Sequence, residues 1–124
     1  MERLWVGLGA FAGLTMVAMA AYAAHALVGV PPATASAVHS AIEMQGFHAL
    51  ALVFTGLWAR RGGVLAHLAG LAFTLGIIAF CGGIYQQLAP AAWNIPHIPM
   101  AAPTGGIALM TGWLLLILAA VFRR

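Results

Sequence analysis

Charged side chains are scarce in this chain of 124 residues. Five arginines and two glutamates bring charged residues to 6% of the sequence, whereas hydrophobic residues make up 64%. A water-soluble domain of this size needs far more polar surface to cover its core. The composition therefore excludes a soluble single-core domain and predicts that lipid is the solvent.

Cysteine is equally scarce. Cys81 is the single cysteine, which excludes an internal disulfide and any metal or redox motif built from paired cysteines. The net charge of +3 comes from a handful of arginines that form no basic stripe. They predict orientation in the membrane and contact with anionic headgroups, and no nucleic-acid partner.

Four apolar stretches fill most of the chain, at about residues 4–28, 38–59, 64–88 and 103–122. Each has about 20 residues or more, enough to cross a hydrocarbon core of roughly 30 Å as a helix. The sequence predicts an all-α fold, in which residues 1–124 form a single four-helix transmembrane domain.

The arginines lie at alternate ends of these stretches. Arg3 precedes the first, Arg60 and Arg61 separate the second from the third, and Arg123 and Arg124 follow the fourth. Positive charge marks the cytoplasmic side of a membrane protein. We expect the two termini and the arginine turn to be cytoplasmic, and the connections at residues 29–37 and 89–102 to face outward.

Small residues form rows on three of the stretches. In lipid, close approach of helix backbones through such residues supplies the packing. The predicted helix-packing glycines are Gly9, Gly13, Gly76, Gly83, Gly105, Gly106 and Gly112. The rows of the third and fourth stretches can pair with each other. The second stretch offers bulky Leu50, Phe54 and Leu57, so we expect the Gly9 and Gly13 face to be free for a partner subunit or a second copy.

Two pairs of polar residues divide the second stretch. His39 and Glu43 share one helical face, and Gln45 and His48 share another, roughly 140–180° away. A hydrogen-bond network between helices is the favoured role for Gln45 and His48, with Tyr85 as a possible partner. A haem or quinone pocket is the alternative, although His48 lacks an obvious second histidine at its depth.

A second group of ionisable residues lies near the predicted outer ends of the helices. His25, His39, Glu43 and His97 have suitable ligand atoms for zinc, copper or iron if the bundle brings them together. The alternative is that water and headgroups solvate them at the outer interface. A dry Glu43 carboxyl would favour its neutral form, which suits a proton-linked role.

Six motifs in order along the chain resemble one known family. They are Gly9-Ala10-Phe11-Ala12-Gly13, Ala24-His25-Ala26-Leu27, Gln45-Gly46-Phe47-His48-Ala49-Leu50-Ala51-Leu52, Phe80-Cys81-Gly82-Gly83-Ile84-Tyr85, Pro103-Thr104-Gly105-Gly106 and Gly112-Trp113. Together they resemble the YgdD-type family of small bacterial inner-membrane proteins, which are related to a mitochondrial transmembrane protein of animals. The chain departs from the family where Cys81 and Gly83 replace serines, Met44 and Phe47 replace tyrosines, and Ala102 replaces threonine.

The resemblance implies a four-helix fold in the bacterial inner membrane and brings no established activity. It also carries His25 to a matching position, so the predicted buried polar network comprises His25, Gln45, His48 and Tyr85. The sequence favours a non-enzymatic accessory or assembly subunit of a larger membrane complex. A small proton-coupled transporter that uses Glu43 and a haem, quinone or metal-binding electron-transfer protein are the alternatives. Predicted partners are the bilayer and other membrane subunits or a second copy, and no particular cofactor is assigned.

Overall fold

The computed structural model describes residues 1–122 and contains three long helices. They are α1 (Glu2–Ala26), α2 (Pro32–Tyr85) and α3 (Ala101–Val121), and each is long and apolar enough to cross a membrane. Arg123 and Arg124, which were predicted to be cytoplasmic, lie outside the described residues. All the regular structure in the described part is helical, including two short 3₁₀ turns at Gln86–Leu88 and Ala91–Trp93.

A single residue divides α2 into two helical segments. Gly63 has φ 60° and ψ −148°, a backbone conformation that only glycine adopts without a large steric cost. We name the segments α2a (residues 32–62) and α2b (residues 64–85). Tyr85 donates a hydrogen bond to Gln45, 40 residues earlier, so the chain reverses at Gly63 and α2b packs against α2a. Arg60 and Arg61, which were predicted to lie in the turn, lie within the helix, and the turn is at Gly63.

Two prolines mark helix starts. Pro32 opens α2, six residues before the predicted start of the second stretch at Val38. A proline suits the first turn of a helix because its φ is already helical and its nitrogen needs no hydrogen-bond partner there. Pro103 lies in the first turn of α3, which begins at Ala101. Both α1 and α3 pack on α2, so α2 is the centre of the bundle.

Close contacts at glycine bring these helices together. Gly76 packs against Leu109, Gly112 against the Phe73 ring, and Gly105 against the backbone of Phe80. These contacts join α2b to α3. Gly83 adds a contact with Ala102, while a β-carbon on Gly106 would make only an ordinary contact with the Phe80 ring.

The expectation that the whole Gly9 and Gly13 face is free is wrong. A β-carbon on Gly9 would lie 2.7 Å from Val53 Cγ2 and 2.8 Å from the Ala49 carbonyl oxygen, so Gly9 is packed against α2a. The bulky Leu50, Phe54 and Leu57 are exposed instead. The small residues of α2a face α1 at this contact. A β-carbon on Gly13, in contrast to one on Gly9, would have no neighbouring atom within 4 Å.

Candidate functional site

Gln45 is the centre of the buried polar network. Its Nε2 donates to the Ala12 carbonyl oxygen at 2.9 Å and to Thr15 Oγ1 at 2.8 Å, and its Oε1 accepts from the Tyr85 hydroxyl at 2.7 Å. The side chain is 5% exposed. One amide thereby connects α1, α2a and α2b through three hydrogen bonds, which satisfies its polar atoms inside an apolar bundle.

His48 forms a second polar contact, between α2a and α3. Its Nδ1 lies 2.6 Å from the Met44 carbonyl oxygen, and its Nε2 lies 3.0 Å from Trp113 Nε1. A carbonyl only accepts and an indole N–H only donates, so Nδ1 carries the proton and Nε2 accepts. The Phe73 ring packs against both the imidazole and the indole. Both ring nitrogens of His48 are therefore occupied by protein groups.

A tryptophan and a histidine also join α1 to α2b. Trp5 Nε1 donates to His67 Nδ1 at 2.9 Å, and Trp5 is buried. One Trp–His hydrogen bond thus attaches α1 to α2 through His67, and another attaches α3 to α2 through His48. Neither pair was predicted from the sequence. The available signal was that indole donors and imidazole acceptors occur within apolar helices, where each buried group needs a partner.

His25 does not belong to this network. It lies exposed in the last turn of α1, whereas Gln45 contacts α1 at Ala12 and Thr15. Ten residues separate Thr15 from His25, which is about 15 Å along a helix. The prediction that His25 belongs to the buried network is therefore wrong.

The structure does not assemble the candidate metal ligands. His25, His39, Glu43 and His97 are all exposed, and within residues 1–122 no group of three or more potential ligand side chains comes together. His39 and Glu43 do lie on a different face of α2a from the buried Gln45 and His48, as the helical spacing predicts.

An open groove follows the contact between α1 and α2a. It has a volume of about 530 Å³, and we call it the α1–α2 groove. Ala10, Gly13 and Val17 line it from α1, and Glu43, Phe47 and Leu50 line it from α2a. Apart from Glu43, its lining is apolar. The groove is open to the surface that lipid would cover, so it can receive another apolar group without disturbing the bundle.

The other end of the same helix pair carries the charges. Arg60 Nε donates to both carboxylate oxygens of Glu2 at 2.9 and 3.0 Å, joining the start of α1 to α2a. Arg3 and Arg60 border a second depression of about 600 Å³ there. We call this the arginine end of the bundle. Because Arg60 is 84% exposed, the ion pair contributes little to stability.

The opposite end carries the long connection between α2b and α3. Residues 90–100 are all exposed. Gln86 holds this connection to the helix end, since its Nε2 donates to the Gly83 carbonyl oxygen at 2.8 Å and its Oε1 accepts from Ile98 N at 3.2 Å. We call this the loop end.

The helices are apolar and long enough to span a membrane, the polar groups between them are satisfied, and their surface carries apolar side chains. These features define a small multi-pass helical membrane protein. The family model described as "Protein of unknown function (DUF423)" matches residues 19–106. A UPF0382 membrane protein of Haemophilus influenzae is 34% identical over 115 residues, which cover 92% of this chain and 90% of the relative. The UPF0382 membrane protein YwdK of Bacillus subtilis is 27% identical over 122 residues, which cover 96% and 97%.

The chain therefore belongs to the DUF423 family, the group of UPF0382 membrane proteins whose function is unknown. This confirms the resemblance found in the sequence to a small, uncharacterised bacterial membrane family. The protein is a multi-pass protein of the bacterial inner membrane. No solved structure matches it.

Proposed function

We propose that the protein is a non-enzymatic accessory or assembly subunit that holds a transmembrane helix of another membrane protein in its α1–α2 groove. The single observation that carries this proposal is the groove itself. It is a surface depression with a small-residue floor beside a bundle whose buried polar side-chain atoms all have partners within the described residues.

The floor of the groove suits a helix. Helices in lipid associate where small residues let backbones approach, since the hydrophobic effect does not drive them together. Gly13 has no neighbouring atom in its way, and Ala10 beside it is exposed. Phe47 and Leu50 form a raised wall along α2a, with exposed fractions of 69% and 72%. A partner helix placed over Gly13 would cover both the floor and this wall.

The orientation in the membrane is part of the proposal. With α2a and α2b crossing separately, the protein has four membrane-spanning segments and both termini on one side. Arg3, Arg60 and Arg61 mark that side, and positive charge favours the cytoplasm. The loop end then faces outward.

Proton-coupled transport by Glu43 is the second candidate function. The observation in its favour is the position of a carboxyl group on a membrane-facing groove, where ionisable residues are costly and usually functional. The groove opens sideways toward lipid, and this geometry suits a docking helix better than a passage from one face of the membrane to the other. Electron transfer through haem has less support, because both nitrogens of His48 are committed to Met44 and Trp113.

A leucine substitution on the groove floor tests the accessory-subunit proposal. Gly13→Leu fills the groove, while Gly82→Leu places the same side chain at another open helical glycine, outside the groove. Both variants should keep the melting temperature of the native protein. Tagged protein is purified from its own membranes in a mild detergent and examined by native mass spectrometry, and each bound subunit is confirmed by tagging that subunit in turn.

We expect bound subunits to be lost with Gly13→Leu and retained with Gly82→Leu. Equal recovery with both variants would show that the groove does not hold the partner. Gly9→Leu is unsuitable for this experiment because Gly9 is packed against Val53, and the larger side chain would disturb the bundle itself.

A further inference from the structure

The chain has two acidic residues, and the structure treats them differently. Glu2 forms an ion pair with Arg60 at the arginine end. Glu43 has no ion pair and no side-chain hydrogen bond with any group in residues 1–122. Its side chain is exposed on the α1–α2 groove, whose other lining residues are apolar.

Glu43 lies far from the arginine end. Seventeen residues separate it from Arg60 along α2a, a distance of about 25 Å in a helix. Within a hydrocarbon layer of roughly 30 Å, that places Glu43 toward the loop end but still among lipid chains. A carboxylate in this position is costly unless a partner neutralises it.

Within residues 1–122, the protein offers little to neutralise this carboxylate. His39, one helical turn away on the same exposed face, is the nearest titratable group along α2a, and it lies beyond ion-pair distance. The cationic side chains of the described chain are at the arginine end. A second copy in the same membrane orientation would bring its own arginines to that same end, about 25 Å from Glu43. Charge complementarity therefore favours a different polypeptide.

From this arrangement we infer that the occupant of the α1–α2 groove is a transmembrane helix that carries a lysine or arginine at the depth of Glu43. This inference rests on the proposed function and adds the chemistry of the partner. The apolar walls would bind the body of the helix, while the carboxylate would select one that brings a cation to this level. A charge pair formed within the hydrocarbon layer is less screened than one in water, so the pair confers selectivity between helices that are otherwise alike.

Designed peptides provide a direct test. A leucine and alanine host helix carries two arginines at one end to fix its orientation and a single lysine about 25 Å from them. A second peptide has leucine in place of that lysine. Each is labelled with a fluorescent acceptor, and energy transfer from donor-labelled protein is measured in phosphatidylcholine and phosphatidylglycerol vesicles. Native protein, Glu43→Gln, Glu43→Asp and Gly13→Leu are compared.

We expect the lysine peptide to bind native protein about tenfold more tightly than the leucine peptide does, in line with polar interactions measured between membrane helices. Glu43→Gln should abolish this preference, and Glu43→Asp should retain most of it. Gly13→Leu should weaken both peptides alike. Melting curves identify any variant that fails to fold, and Glu43 is exposed, so its substitution removes no internal contact.

Other outcomes are equally informative. If both peptides bind native protein equally and Gly13→Leu blocks both, the groove holds a helix but the inferred cation is wrong, and the proposed function survives. A lysine peptide that fails to bind overturns the inference. Energy transfer between two labelled copies of the protein, lost in Gly13→Leu, would show that a second copy occupies the groove and would also overturn it.

Discussion

Removal of one hydroxyl group provides a sharp test of the buried network. The Tyr85 hydroxyl donates to Gln45 Oε1 at 2.7 Å, and Tyr85→Phe deletes that oxygen while it keeps the ring. The amide oxygen of Gln45 then has no donor, although its Nε2 still donates to α1. The chain supplies a matched control, because Tyr22 is its other tyrosine and is 52% exposed on α1.

Two estimates bound the expected loss of stability. Hydrogen bonds between membrane helices contribute about 0.6 kcal/mol on average and up to about 1.7 kcal/mol. An acceptor left buried without a donor costs about 1–3 kcal/mol. Gln45 is 5% exposed, so solvent has little access to replace the lost donor. We therefore expect Tyr85→Phe to lower the free energy of unfolding by about 1.5 kcal/mol, at the top of the range for membrane helices, and Tyr22→Phe to change it by about zero.

The assay is reversible unfolding in bicelles, followed by the trapping of separated helices. A double-mutant cycle that combines Tyr85→Phe with Gln45→Leu isolates the interaction between the two side chains. The effects of the two substitutions should be less than additive, because each removes the same bond. Equal stability of Tyr85→Phe and Tyr22→Phe, or strict additivity in the cycle, would show that this hydrogen bond does not stabilise the bundle.

Two further predictions concern thiol labelling. Cys81 is 2% exposed, so a maleimide should modify it only as fast as the helices separate. A denaturant that unfolds the protein should make the reaction immediate. Rapid labelling of the folded protein would contradict the buried position. In a Cys81→Ala background, an impermeant maleimide added outside should label Asn94→Cys and not Val64→Cys, and the opposite pattern would reverse the proposed orientation. Val64 is a suitable inner probe because it is 74% exposed, whereas a β-carbon on nearby Gly62 would lie 2.6 Å from the Ala66 β-carbon.

Local helical geometry made part of the site predictable from sequence. Residues three or four positions apart share a face, whatever the helix packs against. That rule alone separated Gln45 and His48 from His39 and Glu43, and the structure buries the first pair and exposes the second. It could not say which groups on other helices would meet them, and it brought His25 into a network that the structure places about 15 Å away.

The amino-acid sequence by itself determined that this chain is a membrane protein, since its many apolar and few charged residues leave no other solvent for its surface. Only the tertiary structure decided which face of each helix turns inward, because lipid and the bundle interior are equally apolar and hydrophobicity cannot distinguish them. Close packing between helices determines the inward face. Gly9 packs against Val53, Gly13 stays open, and Trp113 and Trp5 donate hydrogen bonds to His48 and His67.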